Sequence, residues 1–403
     1  MCPSYGRHEM DGHATLRAQL AALADRRRNA SEALAALQSG ADGLLAAVGG
    51  ALIENADELG GEIERLQDAH AAGEPLSECW VKLEALDERA QELFGEYLAL
   101  AEGAWARRHS VDSGMCTLAD ALLEELEGRL RVGWDRFTIP ADSEFFGQLA
   151  QVVRVRVPTL GLWDLPLVVH ELGHFAAERL EDRQREGYIE RVVTPLRDFL
   201  DEAADRSDAD WAFTHEYIAD AFATYALGLA YPYACVLLRF EPTGAREPGY
   251  THPAPAARVE LMFGLLDLMD GAGTGMTKFG KRAATLREVW EQTLAGVAEA
   301  PDGNGESDPP PVQRLFDMLQ QTRPSGGYGT FHRAQALAPR IAQAAPDAPA
   351  AAAVPPETTM ADVVNAAWLA RVDAWDGGEA TAQRIRQSAT RLCEQLLERG
   401  AGS

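Results

Sequence analysis

His170-Glu171-Leu172-Gly173-His174 places two imidazoles four residues apart around a glutamate, in a stretch that reads as helix. Residues at that spacing share one helix face, so both rings can point at a single metal ion. Glu171 stands about a third of a turn round from His170, where its carboxylate can reach a water activated by that ion. The pattern therefore predicts zinc-dependent hydrolysis with Glu171 as general base and His170 and His174 as metal ligands. A catalytic zinc needs a third protein ligand and one open position. A glycine and a histidine three and six residues past His174 would complete one such set, but those positions hold Ala177 and Leu180.

Further along comes His215-Glu216-Tyr217-Ile218-Ala219-Asp220, again in a helical stretch. Glu216 and Asp220 share a face, so one carboxylate can bind the metal while the other accepts the N–H of a liganding imidazole and fixes its tautomer. Glu178 continues the face of His174 but reads as a solvated charge, as exposed glutamates usually are. His215 points away from Glu216 by about a third of a turn and reads as a neighbour.

An H-E-x-x-H helix followed by E-x-x-x-D on a second helix resembles the gluzincin metallopeptidases, nearest their CAAX prenyl-protease and heat-shock zinc-protease branch. That resemblance implies Glu216 as the third ligand and Asp220 as the carboxylate behind an imidazole. It extends to Thr251-His252-Pro253 and Arg258, which match the His-Pro and the downstream arginine of that branch. Arg258 is then a candidate partner for a carboxylate near the site. The chain departs from the branch in its long helical N-terminal region and in carrying no flanking membrane helices. Two residues are candidates for stabilising the oxyanion of a tetrahedral intermediate: His252, and Tyr225, read as lying close to the face of Glu216. The expected activity is that of a soluble zinc metallopeptidase acting on a peptide or protein substrate. Two alternatives stand beside it: a zinc amidase on a non-peptide amide, which the same residues support, and a scaffold that keeps the zinc fold but binds protein partners through its N-terminal helices, suggested by those long helices, the acidic charge and the Ala/Pro linkers.

Several elements must hold these residues in place. Pro166 sits just inside the start of the motif helix, where its missing N–H costs nothing. Leu167, Val168, Val169 and Leu172 give that helix a buried side. Gly173 costs a helix about 1 kcal/mol relative to alanine, so it predicts a close backbone approach or space for substrate. Val152 to Val157 alternates apolar and basic residues, which predicts a half-exposed strand. That strand is expected to rim the cleft and to pair with an extended peptide by strand addition, Arg154 and Arg156 facing substrate or solvent, or else to be a plain edge strand blunted by its arginines. Residues 133 to 147, with Pro140, read as a loop. Helices are expected from Thr117 to Val132, from Tyr188 to Ala204, and from a cap at Ser207 or Asp208 to Gly228, a C-terminal αL position. The uncharged run Ala221 to Leu238 is broken by Gly228 and Pro232 and reads as a buried helix, break and helix.

The rest of the chain frames this region. Residues 13 to 108 read as helices throughout, and from Leu83 the apolar residues Leu86, Ala90, Leu93, Tyr97, Leu100 and Ala104 keep a three-four spacing that suits a bundle face or a short coiled coil. Pro301 to Pro311 and Ala344 to Pro356 read as Gly/Pro- and Ala/Pro-rich linkers, with a last helix from Gly378 to Arg399. Three parts are expected: a helical bundle or hairpin over 1–112, a zincin-like domain over 113–300, and a helical C-terminal extension over 301–403. The fold class is mainly α, an α+β zincin-like core with a short sheet or edge strand. At 403 residues and 46% hydrophobic composition the chain can bury a sizeable core. Its formal net charge of −25 disfavours nucleic acid and anionic membrane surfaces. Five scattered cysteines without C-x-x-C spacing fit neither a disulfide framework nor a cysteine zinc site. With no basic-then-apolar leader pattern, a cytoplasmic location without membrane insertion is expected.

Overall fold

A computed structural model of the chain describes residues 12–39, 43–134, 137–141, 145–147, 152–156, 161–182, 208–271, 279–297, 311–322, 326–344 and 355–401. The fold is mainly α, with one small sheet of three strands among the described residues. The chain divides into two compact units, one of Met1–Val111 with Ile139–Arg154, the other of Asp112–Thr138 with Val155–Ser403.

The first unit is built on three long helices, α1 (Gly12–Ser39), α2 (Gly43–Ala71) and α3 (Leu76–Arg108), each packed on the other two. Leu16, Leu20 and Leu23 of α1, Leu59 and Ile63 of α2, and Leu83, Leu86, Ala90, Leu93 and Leu100 of α3 are buried. The three-four spacing thus serves an ordinary three-helix face. Residues read as a loop contain two strands, β1 (Thr138–Ala141) and β2 (Phe145–Gly147), which flank β3 (Val152–Arg156) in the order β1-β3-β2. Pro140 is compatible with β1 because that strand lies at the sheet edge, where a missing N–H breaks no ladder.

The central place of β3 overturns the expectation of strand addition. Both of its edges are already paired, β2 antiparallel to it with Phe145 opposite Arg154, so no edge remains for a peptide. Arg154 is also committed, its guanidinium 2.6 Å from Glu96 of α3. The side chain of Arg156 lies outside the described ones.

The second unit carries both the H-E-x-x-H and the E-x-x-x-D motifs. It begins with α4 (Met115–Leu130), whose C-terminal end is closed by the Glu127 carboxylate accepting the N–H groups of Val132, Gly133 and Trp134 at 2.9, 3.0 and 3.1 Å. The motif helix is α5 (Leu165–Asp182). Asp164 precedes it and folds the entering turn, its carboxylate taking Gly161 N–H and its carbonyl Leu167 N–H. Pro166 falls in the first helical turn, as its sequence position requires. The second motif lies on α6 (Asp208–Leu227), which packs along α5. From Thr214 to its end every residue of α6 is buried, so this helix is an interior element rather than an amphipathic one. The expected helix at Tyr188 to Ala204 and most of both linkers lie outside the described residues.

At Gly228 the chain turns. Its φ of +61° is the left-handed value that favours glycine, and its N–H closes α6 on Thr224 at 2.7 Å. A side chain there would also meet Phe279 and Tyr328 at 2.8 Å. A short helix α7 (Ala230–Ala234) and a π turn (Cys235–Arg239) follow, at 119° to α6. Among the described residues no single helix is long and apolar enough to cross a membrane, and this bent pair alone passes that test jointly.

Four further helices follow: α8 (Pro255–Gly271), α9 (Gly280–Gly296), α10 (Val312–Thr322) and α11 (Phe331–Gln343). Then come α12 (Met360–Asp373) and α13 (Gly378–Ala401). A capping box between Thr359 and Asp362 starts α12, and Glu125 of α4 also accepts its Met360 and Ala361 N–H groups. One turn into α12, Asn365 braces the bend directly. Its amide accepts Ala230 N–H at 3.1 Å and donates to Leu227 C=O at 2.8 Å, satisfying backbone groups that the break leaves open.

Candidate metal centre

α5 and α6 meet at backbone distance because Gly173 has no side chain. A Cβ on Gly173 would stand 2.7 Å from Ala219 Cα and 3.0 Å from its carbonyl oxygen. Of the two roles its sequence position allows, close approach is the observed one. Gly173 lies between the two motif histidines and Ala219 between the two motif carboxylates, so the contact sets both motifs face to face.

The result is a triangle of donor side chains. His170 Nε2 and His174 Nε2 are 3.2 Å apart, and each lies 3.4 Å from an oxygen of Glu216, Oε2 and Oε1 respectively. Ligand bonds of about 2.0–2.1 Å place neighbouring donors of a tetrahedron about 3.3 Å apart; the two imidazole nitrogens stand at that spacing, and one ligand atom from each of the three side chains lies within 4.8 Å of the other two. His170 and Glu216 are buried and His174 is partly so. These three residues form a group able to hold a metal ion. Glu216 Oε2, although buried, makes no hydrogen bond and has only ion-pair approaches, as an oxygen directed at a cation would.

No family model, curated protein or solved structure matches the chain.

Behind the triangle, Asp220 is fully buried and lies 3.1 Å from His170 Nδ1. Arg258, at the start of α8, donates to both of its oxygens, Nε to Oδ2 at 2.7 Å and a terminal nitrogen to Oδ1 at 2.8 Å, and stands 3.2 Å from Glu216. The downstream arginine thus clamps Glu216 and Asp220, the two motif carboxylates of α6. Tyr231 of α7, which no motif or spacing marks, donates to Asp220 Oδ1 and has its hydroxyl 3.0 Å from His170 Nδ1. The Asp220 and Tyr231 oxygens around Nδ1 keep a proton on that nitrogen and leave Nε2 for the metal.

The charges follow this geometry. Burial raises the cost of ionising Asp220, but Arg258 outweighs it and holds the carboxyl down at about 2. Glu216 is likewise opposed by burial, yet the imidazoles of His170 and His174 beside it, with the Arg258 guanidinium, keep it far below the ordinary carboxylate range. His170 is pushed up to about 10: burial works against its charge, and Asp220 and Glu216 prevail. His215 is lowered to about 4 by burial and by the charge of His174, and its Nε2 is buried without a hydrogen-bond partner. Its ring lies 4.1 Å from that of Trp211 and 6.5 Å from that of His174, so it is a neighbour of the site, not one of the three donors.

The remaining candidates separate. Glu171 sits on α5 beside His170, half-buried. His252 reaches the edge of the site, its Nε2 3.5 Å from Glu216 Oε1 and its side chain 58% exposed. Thr251 holds the other ring nitrogen at 2.8 Å. Tyr225 does not belong to the cluster. Nine residues on a helix are two and a half turns, which carry it to the opposite side of α6 and about 13 Å along its axis from Glu216. Its hydroxyl accepts from Gln320 of α10 and its ring packs on Phe316.

Proposed function

We propose that this protein is a zinc-dependent metallopeptidase of the gluzincin type, with His170, His174 and Glu216 as ligands and Glu171 as general base. The observation that carries the reading is the convergence of three donor side chains, His170, His174 and Glu216, each offering a ligand atom within 4.8 Å of the others. Zinc is the proposed ion because two imidazoles and one carboxylate make a three-donor set of the kind used in catalytic zinc sites. When bound, it supplies Lewis acidity, acidifying water and polarising a carbonyl.

The chain's own groups supply the rest. Glu171 takes a proton from the attacking water and returns it to the departing amine, acting as base and then acid. His252, exposed at the edge of the triangle, donates from its imidazole to the substrate carbonyl oxygen as negative charge develops there. Asp220 and Arg258 keep His170 and Glu216 in place through the step. A substrate entering beside His252 meets Trp211 on α6 and Tyr250 two residues before His252, both with exposed rings.

The test is Glu171→Gln in the full chain. Zinc content is expected to stay at the wild-type level, while hydrolysis of a mixed peptide library falls by about 10²–10⁴-fold, the usual contribution of a positioned base. Undiminished turnover overturns the role of Glu171, and absence of hydrolysis in the zinc-loaded wild type overturns the peptidase reading.

A further inference from the structure

Tyr231 is buried at 1% exposure, and its hydroxyl contacts two groups: Asp220 Oδ1, to which it donates, and His170 Nδ1 at 3.0 Å. Its ring lies nearly parallel to that of His170, at 10° with centroids 6.0 Å apart. Asp220 Oδ1 already faces Arg258, so the tyrosine shares one acceptor with two cationic or N–H donors. A hydroxyl that gives its own hydrogen to a carboxylate presents its lone pairs outward. Here they face His170 Nδ1, which can be held only by donating its proton.

The path of the chain to this point is built for it. Tyr231 reaches the back of the site only because α6 ends at Gly228 and the chain turns by 119°. Asn365 satisfies the opened backbone on both sides of the break, and Arg129 donates to Ala226 C=O at 2.8 Å just before it. Without the turn, a continued helix would carry residue 231 away from Asp220.

We infer that Tyr231 is a positioning residue of the metal centre: its hydroxyl, delivered by the braced break after α6, joins Asp220 in fixing the orientation and tautomer of His170. This rests on the metal site proposed above but not on any peptidase activity. Outer partners of a metal-bound imidazole are commonly worth about 10–100-fold in metal affinity.

The experiment compares Tyr231→Phe with Tyr233→Phe in the full chain. Tyr233 is a buried tyrosine of the same short helix that stacks on Trp368 rather than on a ligand. Zinc affinity, measured by competition with a chromogenic chelator, is expected to fall about tenfold or more in Tyr231→Phe and to stay within twofold of wild type in Tyr233→Phe. In the zinc-loaded protein, the NMR signal of the His170 Nδ1–H proton is expected to move upfield and exchange faster in Tyr231→Phe alone, a change that loss of packing would not confine to this ring. Zinc affinity of Tyr231→Phe within twofold of wild type, or an equal loss in both variants, overturns the inference while leaving the three-ligand site standing. A wild-type chain that binds no zinc overturns the site itself.

Discussion

Gly173→Ala is the smallest change that tests how the site is assembled. The added Cβ would lie 2.7 Å from Ala219 Cα, 3.0 Å from its oxygen and 3.2 Å from its carbonyl carbon. Carbon atoms in contact sit about 3.5–4.0 Å apart, so α5 and α6 must part by about 1 Å. The atoms met are backbone, so no rotamer change relieves the clash, and Ala219→Gly would not rescue it. That displacement falls on the two His–Glu edges, now 3.4 Å each, and opens them well past the spacing of about 3.3 Å that one tetrahedral ion requires. Overpacking costs about 1–3 kcal/mol, while alanine returns about 1 kcal/mol of helix propensity. The net loss of fold stability is therefore small, at most about 2 kcal/mol. Metal affinity should suffer more than stability, by about tenfold or more, because donor geometry rather than packing is what moves. Thermal melting of the metal-free protein and a chelator competition with zinc measure the two quantities separately. Zinc binding as tight as wild type, with an unchanged or raised melting temperature, would show that helix propensity wins and that the close approach does not set the ligand spacing.

Two further outcomes follow from the surrounding structure. Asn365→Ala leaves Ala230 N–H and Leu227 C=O buried without their side-chain partner and should cost about 1–3 kcal/mol in a denaturant titration; a loss below about 0.5 kcal/mol would mean that the break is held by packing alone. Asp220, depressed to about 2 although burial opposes its charge, gains its stabilisation from Arg258. A depressed carboxyl contributes fully above its unfolded pKa of about 4 and loses that contribution as pH falls through the folded value. The metal-free wild type should therefore lose melting temperature between about pH 4 and 2 through this group, and Asp220→Asn should start lower and lose less over that window.

The candidate donors were legible because they are local. His170 and His174, and likewise Glu216 and Asp220, are paired by a four-residue spacing that any helix turns into a shared face. The C-terminal position of Gly228 was legible for the same reason, since it needs only one residue's φ. Where the chain goes after that glycine was not. Extending α6 as a face made Tyr225 the candidate and passed over Tyr231, which returns to the site only because of the bend. The partners of that bend, Arg129 and Asn365, lie 97 and 138 residues from the carbonyls they hold. No periodicity spans such separations. The sheet shows the same limit. Alternation identified β3 as a strand, but its central place depends on β1 and β2, one of which is disguised by Pro140. Alternation alone leaves the edge of β3 open, and the two neighbouring strands close it. Arg258 was visible only as a motif match, and the buried Asp220 gave its charge a purpose.

The most direct measurement is the zinc content of the full chain after metal depletion and reloading, made on wild type and on His174→Ala together. About one zinc per chain is expected for wild type, with loss of nearly all of it in the variant, because two donors no longer close a site. Equal zinc in both proteins, each folded by circular dichroism, would contradict the assignment of His170, His174 and Glu216 as one metal centre.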